Sequence, residues 1–293
     1  MLKFSIDNGK GGNFAKDPAV VRFNGKYYLY FSAIKDGKLA VGIAVGDTFD
    51  NFVFKDYLVP ETPAETKEVG APAAIVIGGK VHLYYQSYGN WETDAIMHAV
   101  SEDGVNFIRD ENNPVFAPHG DWTVGRAIDA DVEIMNGKLF LYVATRDKTM
   151  KIQKIAVAVS DNAENPKFVQ AYDGAVMEPE LPFEGECIEA PAVINENGRM
   201  YMFYAAAYNC SPQTVGVAVS DDGIKFTRLF DKPFLENGKP GEWNCDDTGH
   251  PYVFRDDDGQ VYLFHQGTCD KGKNWYLSYR KVKFENGMPV LED

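Results

Sequence analysis

The sequence predicts an all-β fold, a five-bladed β-propeller with four antiparallel strands in each blade. Three observations predict it. A motif of two apolar strands joined by a glycine turn occurs five times, a third strand and a further turn follow each copy, and the copies begin 54 to 61 residues apart. Repetition at such a spacing is typical of units that bury their apolar faces only by stacking against one another.

The first two strands of each unit form a hairpin. A glycine in the turn follows Asn, Asp or Gly in every copy, which favours a turn with positive φ at its centre. The copies are DPAVVRFNGKYYLYFS from Asp17, APAAIVIGGKVHLYYQ from Ala71, DADVEIMNGKLFLYVA from Asp129, EAPAVINENGRMYMFYA from Glu189 and HPYVFRDDDGQVYLFHQ from His250.

A third strand follows each hairpin, and a turn before a Phe predicts the fourth strand. The third-strand segments are GIAVGDTFDNF, MHAVSEDGVNF, VAVSDNAENPKF, VAVSDDGIKF and, more divergent, WYLSYRKVKF from Trp275. None has the 3.6-residue periodicity of a helical repeat. A β-sandwich with chance internal similarity is the alternative fold.

Composition limits the classes of partner. Of the 293 residues 45% are hydrophobic and 13% aromatic, and no linker divides the chain, so residues 1–293 are expected to form one domain. With 29 basic and 43 acidic residues the formal net charge is −14. We expect no nucleic-acid or membrane partner, because such a surface repels phosphate backbones and anionic lipid. A neutral oligosaccharide or polysaccharide is not repelled.

The beginning of the sequence, MLKFSIDNGKGG, lacks the features of a secretory signal, and no apolar run reaches a membrane span. The expected location is the cytoplasm, or the periplasm or exterior if a leader has been removed. Cys187, Cys210, Cys245 and Cys269 are widely spaced, which favours free thiols over a zinc site.

Acidic residues recur at the start of the first strands. If these strands line the propeller axis, Asp17, Asp129, Glu189 and His250 share one pocket, with Ala71 at the remaining position. Glycoside hydrolysis uses one protonated and one ionised carboxyl group, and a third nearby carboxylate can raise the pKa of the acid. This pattern predicts a glycosidase.

The same motifs resemble glycoside hydrolase family 43 and its five-bladed relatives, including families 32, 62, 117 and 130. The resemblance extends over about Asp17 to Lys281. It rests on five short motifs in order: Asp17-Pro18, Ala71-Pro72, Ile128-Asp129, Glu189-Ala190-Pro191 and Gly249-His250.

The resemblance implies that Asp17 is a general base, Asp129 a pKa modulator that also orients the substrate, and Glu189 a general acid, with inversion of configuration. An inverting pair should be separated by about 6.5–9.5 Å rather than about 5–5.5 Å. The resemblance also implies that His250 could help to hold a hydrated metal ion, calcium or another cation, at the axis. No cofactor is expected to be required.

Two features depart from the family pattern. The third repeat has Ile-Asp-Ala-Asp, so Asp131 competes with Asp129 for the modulator position, and the repeat register favours Asp129. Gly70 stands before Ala71-Pro72, where the family often has an aromatic residue, which puts the usual pentose substrate in doubt.

Aromatic and polar residues around the first strands are candidates for sugar binding, because sugars present C–H faces and hydroxyl groups. Trp91 and Arg126 are the strongest candidates. The other predicted substrate contacts are Tyr88, Trp243, His250 and Asp247. We expect His82, His98 and His119 to be structural, whereas His265 resembles a family residue at the end of its strand.

Three other functions remain open at this stage: a family 117-like glycosidase in which His250 is the acid, a family 130-like phosphorylase, and a carbohydrate-binding propeller without catalysis. The phosphorylase would need clustered cations around the pocket. The compact chain predicts exo action on short oligosaccharides.

Overall fold

The computed structural model describes residues 3–292, so residues 1, 2 and 293 of the predicted domain lie outside the described residues. Five four-stranded antiparallel sheets follow one another along the chain, which confirms the predicted propeller. A two-stranded sheet and three single-turn 3₁₀ helices, Phe49–Asn51, Trp91–Thr93 and Pro182–Glu184, complete the regular structure of this part of the chain. No helix among the described residues is long and apolar enough to span a membrane.

The small sheet consists of β1 (Ile6–Asp7) and β2 (Asn13–Phe14). Blade 1 consists of β3 (Lys16–Phe23), β4 (Lys26–Lys35), β5 (Lys38–Gly46) and β6 (Val53–Leu58). Blade 2 consists of β7 (Glu68–Ile77), β8 (Lys80–Tyr88), β9 (Ile96–Ser101) and β10 (Ile108–Arg109). Blade 3 consists of β11 (Ile128–Met135), β12 (Lys138–Arg146), β13 (Gln153–Ser160) and β14 (Val169–Gln170). Blade 4 consists of β15 (Ile188–Glu196), β16 (Arg199–Ala206), β17 (Thr214–Ser220) and β18 (Thr227–Arg228). Blade 5 consists of β19 (Asp247–Arg255), β20 (Val261–Thr268), β21 (Tyr276–Glu285) and β22 (Met288–Leu291).

The first strands form the inner ring of the propeller. Each packs against the first strand of the next blade, and β19 packs against β3, which closes the ring. Apolar side chains fill the spaces between neighbouring blades, so the core is distributed around the ring. The N-terminal segment supports the closure, because Phe4 pairs with Leu277 and the Asn13 carbonyl accepts a hydrogen bond from the Trp275 backbone N–H, 3.0 Å.

Tyrosines of the second strands join neighbouring blades. The Tyr30 hydroxyl donates to the Gly104 carbonyl of the next blade (2.8 Å), and Tyr142 donates in the same way to Gly223 (2.7 Å). A Cβ atom at Gly104 would lie 2.5 Å from the Tyr28 ring, and the φ of Gly104 is +78°. Glycine is therefore required in this turn by both space and conformation.

A buried glutamate also recurs between blades. Glu65 accepts hydrogen bonds from the Tyr85 hydroxyl (2.6 Å) and the Arg109 guanidinium (3.0 Å). Glu184 makes the same pair of contacts in the corresponding place two blades later, with Tyr204 and Arg228. Each glutamate is fully buried and its charge is paired, as a buried charge requires. All four cysteines are free thiols, as predicted.

Candidate active site

A β-bulge begins the first strand of every blade and directs one side chain toward the axis. At each bulge two residues of the first strand lie opposite one residue of the second strand. The residues with positive φ at these bulges are Asp17 (51°), Ala71 (42°), Asp129 (51°), Ala190 (46°) and His250 (40°). Left-handed conformations at five non-glycine residues are uncommon and cluster at functional sites.

This register corrects one sequence-based expectation. The residue of blade 4 that is equivalent to Asp17 and Asp129 is Ala190, not Glu189. Glu189 precedes the bulge by one residue, at the position that Lys16 occupies in blade 1. The repeats had been aligned on the acidic residue of blade 4, whereas the bulge aligns the residue directly before the proline, which is Ala190.

Polar side chains of one blade hold the bulge of the next. The Asp17 N–H donates to the Gln266 side-chain oxygen (3.2 Å) and the Asp129 N–H to that of Gln86 (2.8 Å). The Ala71 N–H donates to the Ser32 hydroxyl oxygen (2.8 Å). Sequence reasoning did not assign these residues, although Ser32, Gln86 and Gln266 are the final residues of three of the five repeats.

The predicted acidic residues meet His250 in one buried cluster. Asp17 Oδ1 lies 2.8 Å from His250 Nδ1, and Glu189 Oε1 lies 3.2 Å from His250 Nε2. One ligand atom each of Asp129, Glu189 and His250 lie within 4.8 Å of one another. The four side chains are therefore neighbours at the axis, and His250 separates Asp17 from Glu189.

The His250 ring lies between the contacting oxygens of Asp17 and Glu189. These two oxygens can therefore be at most about 8 Å apart, the sum of the two contact distances and the separation of the ring nitrogens. This limit lies inside the range of about 6.5–9.5 Å for an inverting pair, and the predicted separation remains a prediction. One oxygen of the cluster, Asp129 Oδ2, is buried without a hydrogen-bond partner, so it is available to a bound water or sugar hydroxyl.

Hydrogen bonds hold Glu189 from several sides. Gln153 donates to Oε2, whereas Gln213 (2.7 Å) and Asn209 (3.4 Å) donate to Oε1. Gly249 lies against Gln213, because a Cβ atom there would be 1.8 Å from the Gln213 side-chain oxygen. The glycine of the Gly-His motif is thus explained by the close approach of Gln213.

The electrostatics of the cluster differ among its carboxyl groups. Burial favours the neutral form of Asp17, but the His250 imidazolium and the Lys16 ammonium outweigh it and hold the pKa of Asp17 below its ordinary value. Burial and the neighbouring carboxylates of Glu189 and Asp17 raise the pKa of Asp129 to about 7. Burial alone would lower the pKa of His250, yet the charges of Asp17 and Asp129 raise it well above its ordinary value.

Glu189 differs from the sequence-based expectation. Its pKa was expected to be raised by Asp129. Burial does oppose its ionised form, but the hydrogen bond and charge of His250, together with Gln213, lower the pKa of Glu189 below its ordinary value. These shifts favour the ionised forms of Asp17 and Glu189 and the imidazolium form of His250, whereas Asp129, with a pKa of about 7, exchanges its proton near neutral pH.

Of the two competing residues, Asp129 and Asp131, only Asp129 lies in the axial cluster. Asp131 accepts a hydrogen bond from the Val193 N–H (2.7 Å) and lines a separate cavity of 470 Å³ with Glu133 and Tyr252. The narrow axial cavity lined by Asp17, Asp129 and His250 measures 20 Å³.

The predicted sugar-binding residues of blade 2 lie together. The Arg126 guanidinium lies 5.7 Å from the Tyr88 ring and 5.8 Å from the Trp91 ring, and its Nε donates to Asp94 (3.2 Å). The Trp91 side chain is 61% exposed with a φ of 57°, which is rare for a bulky residue. The indole is thus presented to solvent above a buried ion pair.

The predicted contacts of blade 5 have mixed positions. Asp247 is fully buried and accepts hydrogen bonds from the N–H groups of Cys210 and Gln213, so it anchors the loop before β17. Burial raises the pKa of Asp247 to about 6. Trp243 stacks on His265 at 5.6 Å, and burial lowers the pKa of His265 to about 4.

A cavity of 840 Å³ lies away from the axis between blades 2 and 3 and is lined by His82 and His98. These two rings are hydrogen-bonded to each other (3.0 Å), and His98 is also bonded to Asp110 (2.9 Å). His119 is exposed. These positions fit the structural role expected for His82 and His98, and they leave the predicted catalytic residues in the axial cluster.

The axial cluster does not fit a directly bound metal ion. Carboxylate oxygens suit calcium, but a histidine ligand must offer a free, deprotonated nitrogen. Both nitrogens of His250 face carboxylates, Asp17 on one side and Glu189 on the other. His250 supplies the positive charge at this place, between the carboxylates of Asp17 and Glu189.

Residues 7–286 of this chain match the family that is described as Glycosyl hydrolases family 43. A xylosidase/arabinosidase of Bacteroides ovatus is 26% identical over 198 residues, which cover 67% of this chain and 45% of that protein. A beta-1,2-mannobiose phosphorylase of Thermoanaerobacter sp. (strain X514) is 32% identical over 115 residues, covering 34% of this chain and 35% of that protein.

Among solved structures, a thermostable family-43 glycoside hydrolase has a TM-score of 0.80 at 21% identity, with 95% of this chain and 93% of that chain covered. At this identity the likeness supports the fold. The chain spans less than half the length of the curated relatives it matches.

Proposed function

The chain belongs to glycosyl hydrolase family 43, and from this premise we propose that it hydrolyses a neutral oligosaccharide with inversion of configuration. One observation carries the proposal: Asp17, Asp129 and Glu189 converge with His250 in a buried cluster at the propeller axis. Carboxyl groups with unequal pKa values can supply the proton donor and the ionised base that a glycosidase needs.

Asp17 is the proposed general base. Its depressed pKa keeps it ionised at neutral pH, and because Oδ1 faces His250 Nδ1 at 2.8 Å, Oδ2 is the oxygen proposed to accept a proton from water. The oxygen of that water attacks the anomeric carbon while the glycosidic bond breaks. The proton of the water passes to Asp17.

Glu189 is the proposed general acid, and Asp129 the group that supplies and tunes its proton. The raised pKa of Asp129, about 7, makes it the proposed source of the proton, within 4.8 Å of Glu189. A substrate that loosens the contact between His250 and Glu189 raises the pKa of Glu189 and lets the proton move to it. The leaving oxygen then takes the proton from Glu189 and departs as a hydroxyl.

Several contacts favour this assignment over His250 as the acid. Both His250 nitrogens face carboxylates, so neither N–H points to a leaving group. The substrate side is proposed to include Trp91, Arg126 and Tyr88, with Trp91 as a stacking platform. The names of the matched relatives make xylosides and arabinosides the first substrates to test.

Replacement of Glu189 by Gln tests the acid. An activated aryl leaving group needs little protonation, so E189Q should retain activity on it and lose about 10²- to 10⁴-fold on an unactivated oligosaccharide. The exposed Glu236 gives a matched control, since E236Q should change neither rate. Equal losses on both substrates would refute Glu189 as the acid. If only His250→Gln retains activity on the activated substrate while losing it on the oligosaccharide, the family 117-like alternative is supported.

A phosphorylase is the second candidate, because one relative is named as a mannobiose phosphorylase. The nearby cations are largely engaged, as Arg126 pairs with Asp94 and Arg146 donates to Gln153 (2.7 Å). Hydrolysis should therefore proceed at the same rate with and without inorganic phosphate. A phosphate-dependent rate with a sugar phosphate as product would establish the alternative.

A further inference from the structure

Two fully buried glutamines hold the carboxyl group of Glu189, one on each oxygen. Gln153 is the first residue of β13 in blade 3, and Gln213 directly precedes β17 in blade 4. The two strands belong to neighbouring blades, so the carboxyl group is gripped from both sides.

The orientation of each amide is determined by a second contact. Arg146 Nε donates to Gln153 Oε1 (2.7 Å), which turns the Gln153 NH₂ group toward Glu189. The Gln213 NH₂ group donates to the Ala207 carbonyl (2.9 Å) as well as to Glu189. If either amide were flipped, its second contact would be lost and its carbonyl oxygen would face a carboxylate oxygen of Glu189.

The backbone around Gln213 is itself restrained. Its N–H donates to Asp247 (3.3 Å), its carbonyl accepts from the Thr248 N–H (3.0 Å), and Gly249 leaves space for its side chain. Asp247, predicted from the sequence as a substrate contact, lies in this supporting layer.

We propose that Gln153 and Gln213 are positioning residues that fix the carboxyl group of Glu189 in the orientation for proton delivery to the leaving group. This inference rests on the proposed role of Glu189 as the acid. A carboxyl group that can rotate freely spends less time in the orientation needed for proton transfer to the leaving oxygen. Loss of either amide should therefore slow proton transfer without weakening substrate binding.

The test replaces each glutamine by methionine, which is similar in length and lacks the donor, in Q153M and Q213M. Two substrates with the same glycone are compared, one with an activated aryl leaving group and one with an unactivated leaving group. We expect kcat on the unactivated substrate to fall about tenfold to hundredfold, as for other residues that orient a site group. We expect KM, and both constants on the activated substrate, to change less than about threefold.

The matched control is Q260M, because the Gln260 amide donates to the Val261 and Val282 carbonyls in the turn between β19 and β20, at the end of these strands away from His250. It should leave both substrates unaffected. Arg146→Lys provides a second variant that keeps both glutamines but removes the Nε donor that orients Gln153, and it should show the same selective loss.

The ratio of the two rates is measured on one protein sample, so partial unfolding does not alter it. Equal losses on both substrates, or a rise in KM at constant kcat, would overturn the inference. E189Q is measured in parallel to separate the two proposals. If E189Q has no leaving-group selectivity, the proposed function fails, whereas selectivity in E189Q but not in the glutamine variants overturns only the positioning role.

Discussion

The close contact between Gly249 and Gln213 predicts that Gly249→Ala, which adds a single methyl group, lowers the free energy of unfolding substantially. A Cβ atom at Gly249 would lie 1.8 Å from Gln213 Oε1, 2.5 Å from Cδ and 2.7 Å from Cγ. Because three successive atoms of the side chain are too close, a small shift of its end cannot relieve the contact. Gly249→Ala should therefore move Gln213 away from both of its acceptors.

The cost follows from the two hydrogen bonds that are lost. The bond to the Ala207 carbonyl is worth about 1 kcal/mol and the bond to the Glu189 carboxylate about 2 kcal/mol, so the free energy of unfolding should fall by about 3 kcal/mol. For a chain of this size that corresponds to a decrease in Tm of roughly 6–12 °C.

Thermal unfolding of wild type, G249A, Q213A and the double variant measures the effect as a cycle. In the Q213A background the obstructing side chain is absent, so G249A should cost less than about 1 kcal/mol there. A cost of about 3 kcal/mol in both backgrounds would refute the reasoning, since it would trace the effect to Gly249 alone.

Three further predictions concern the cluster and its surroundings. Burial raises the pKa of Asp129 to about 7 from an unfolded value near 3.9, so the stability that its neutral form contributes is present below about pH 4 and is lost as the pH rises through 7. The free energy of unfolding of Asp129→Asn, measured with urea, should thus increase relative to that of wild type between pH 4 and pH 8, by at most about 4 kcal/mol. A difference between the two proteins that does not change with pH would contradict this. Trp91→Ala should raise KM for an oligosaccharide about tenfold with little change in kcat, whereas Tyr172→Ala, at another exposed aromatic residue, should not; equal effects would count against a Trp91 platform. Treatment with EDTA should leave hydrolysis unchanged, because His250 supplies the positive charge between Asp17 and Glu189, and a loss that calcium restores would show that a cation is needed.

The repeat in the sequence predicted the fold well because each blade is a local unit. Alternating apolar strands and glycine turns determine a blade almost independently of the others, and blade stacking follows. The strand pairs, the five blades and the resemblance to family 43 are confirmed.

The position of Glu189 was less predictable. Its motif, Glu-Ala-Pro, shows that the proline is one residue farther away than in Asp17-Pro18, and this is the signal that could have identified Ala190 as the bulge residue. The lowered pKa of Glu189 depends on His250 lying between it and Asp17, a three-dimensional arrangement that strand order alone does not specify.

The supporting residues divide into two groups. Ser32, Gln86 and Gln266 end their repeats at one common position, so the repeat alignment contained a signal for them. Gln153 and Gln213 also share a repeat position, because each lies seven residues before the serine that ends the third-strand AVS motif, Ser160 or Ser220, but their role depends on how blades 3 and 4 approach each other. Such contacts between blades become visible only in the folded chain.

The central claim is that Asp17 activates water on one side of the sugar while Glu189 protonates the leaving group on the other. The most direct measurement follows the anomeric proton of the product by NMR in the first minutes of hydrolysis, before mutarotation. The account predicts that the product first appears with inverted configuration, since water attacks opposite the leaving group. Initial appearance of the product with retained configuration would contradict it, because that outcome requires a covalent intermediate and a carboxylate nucleophile.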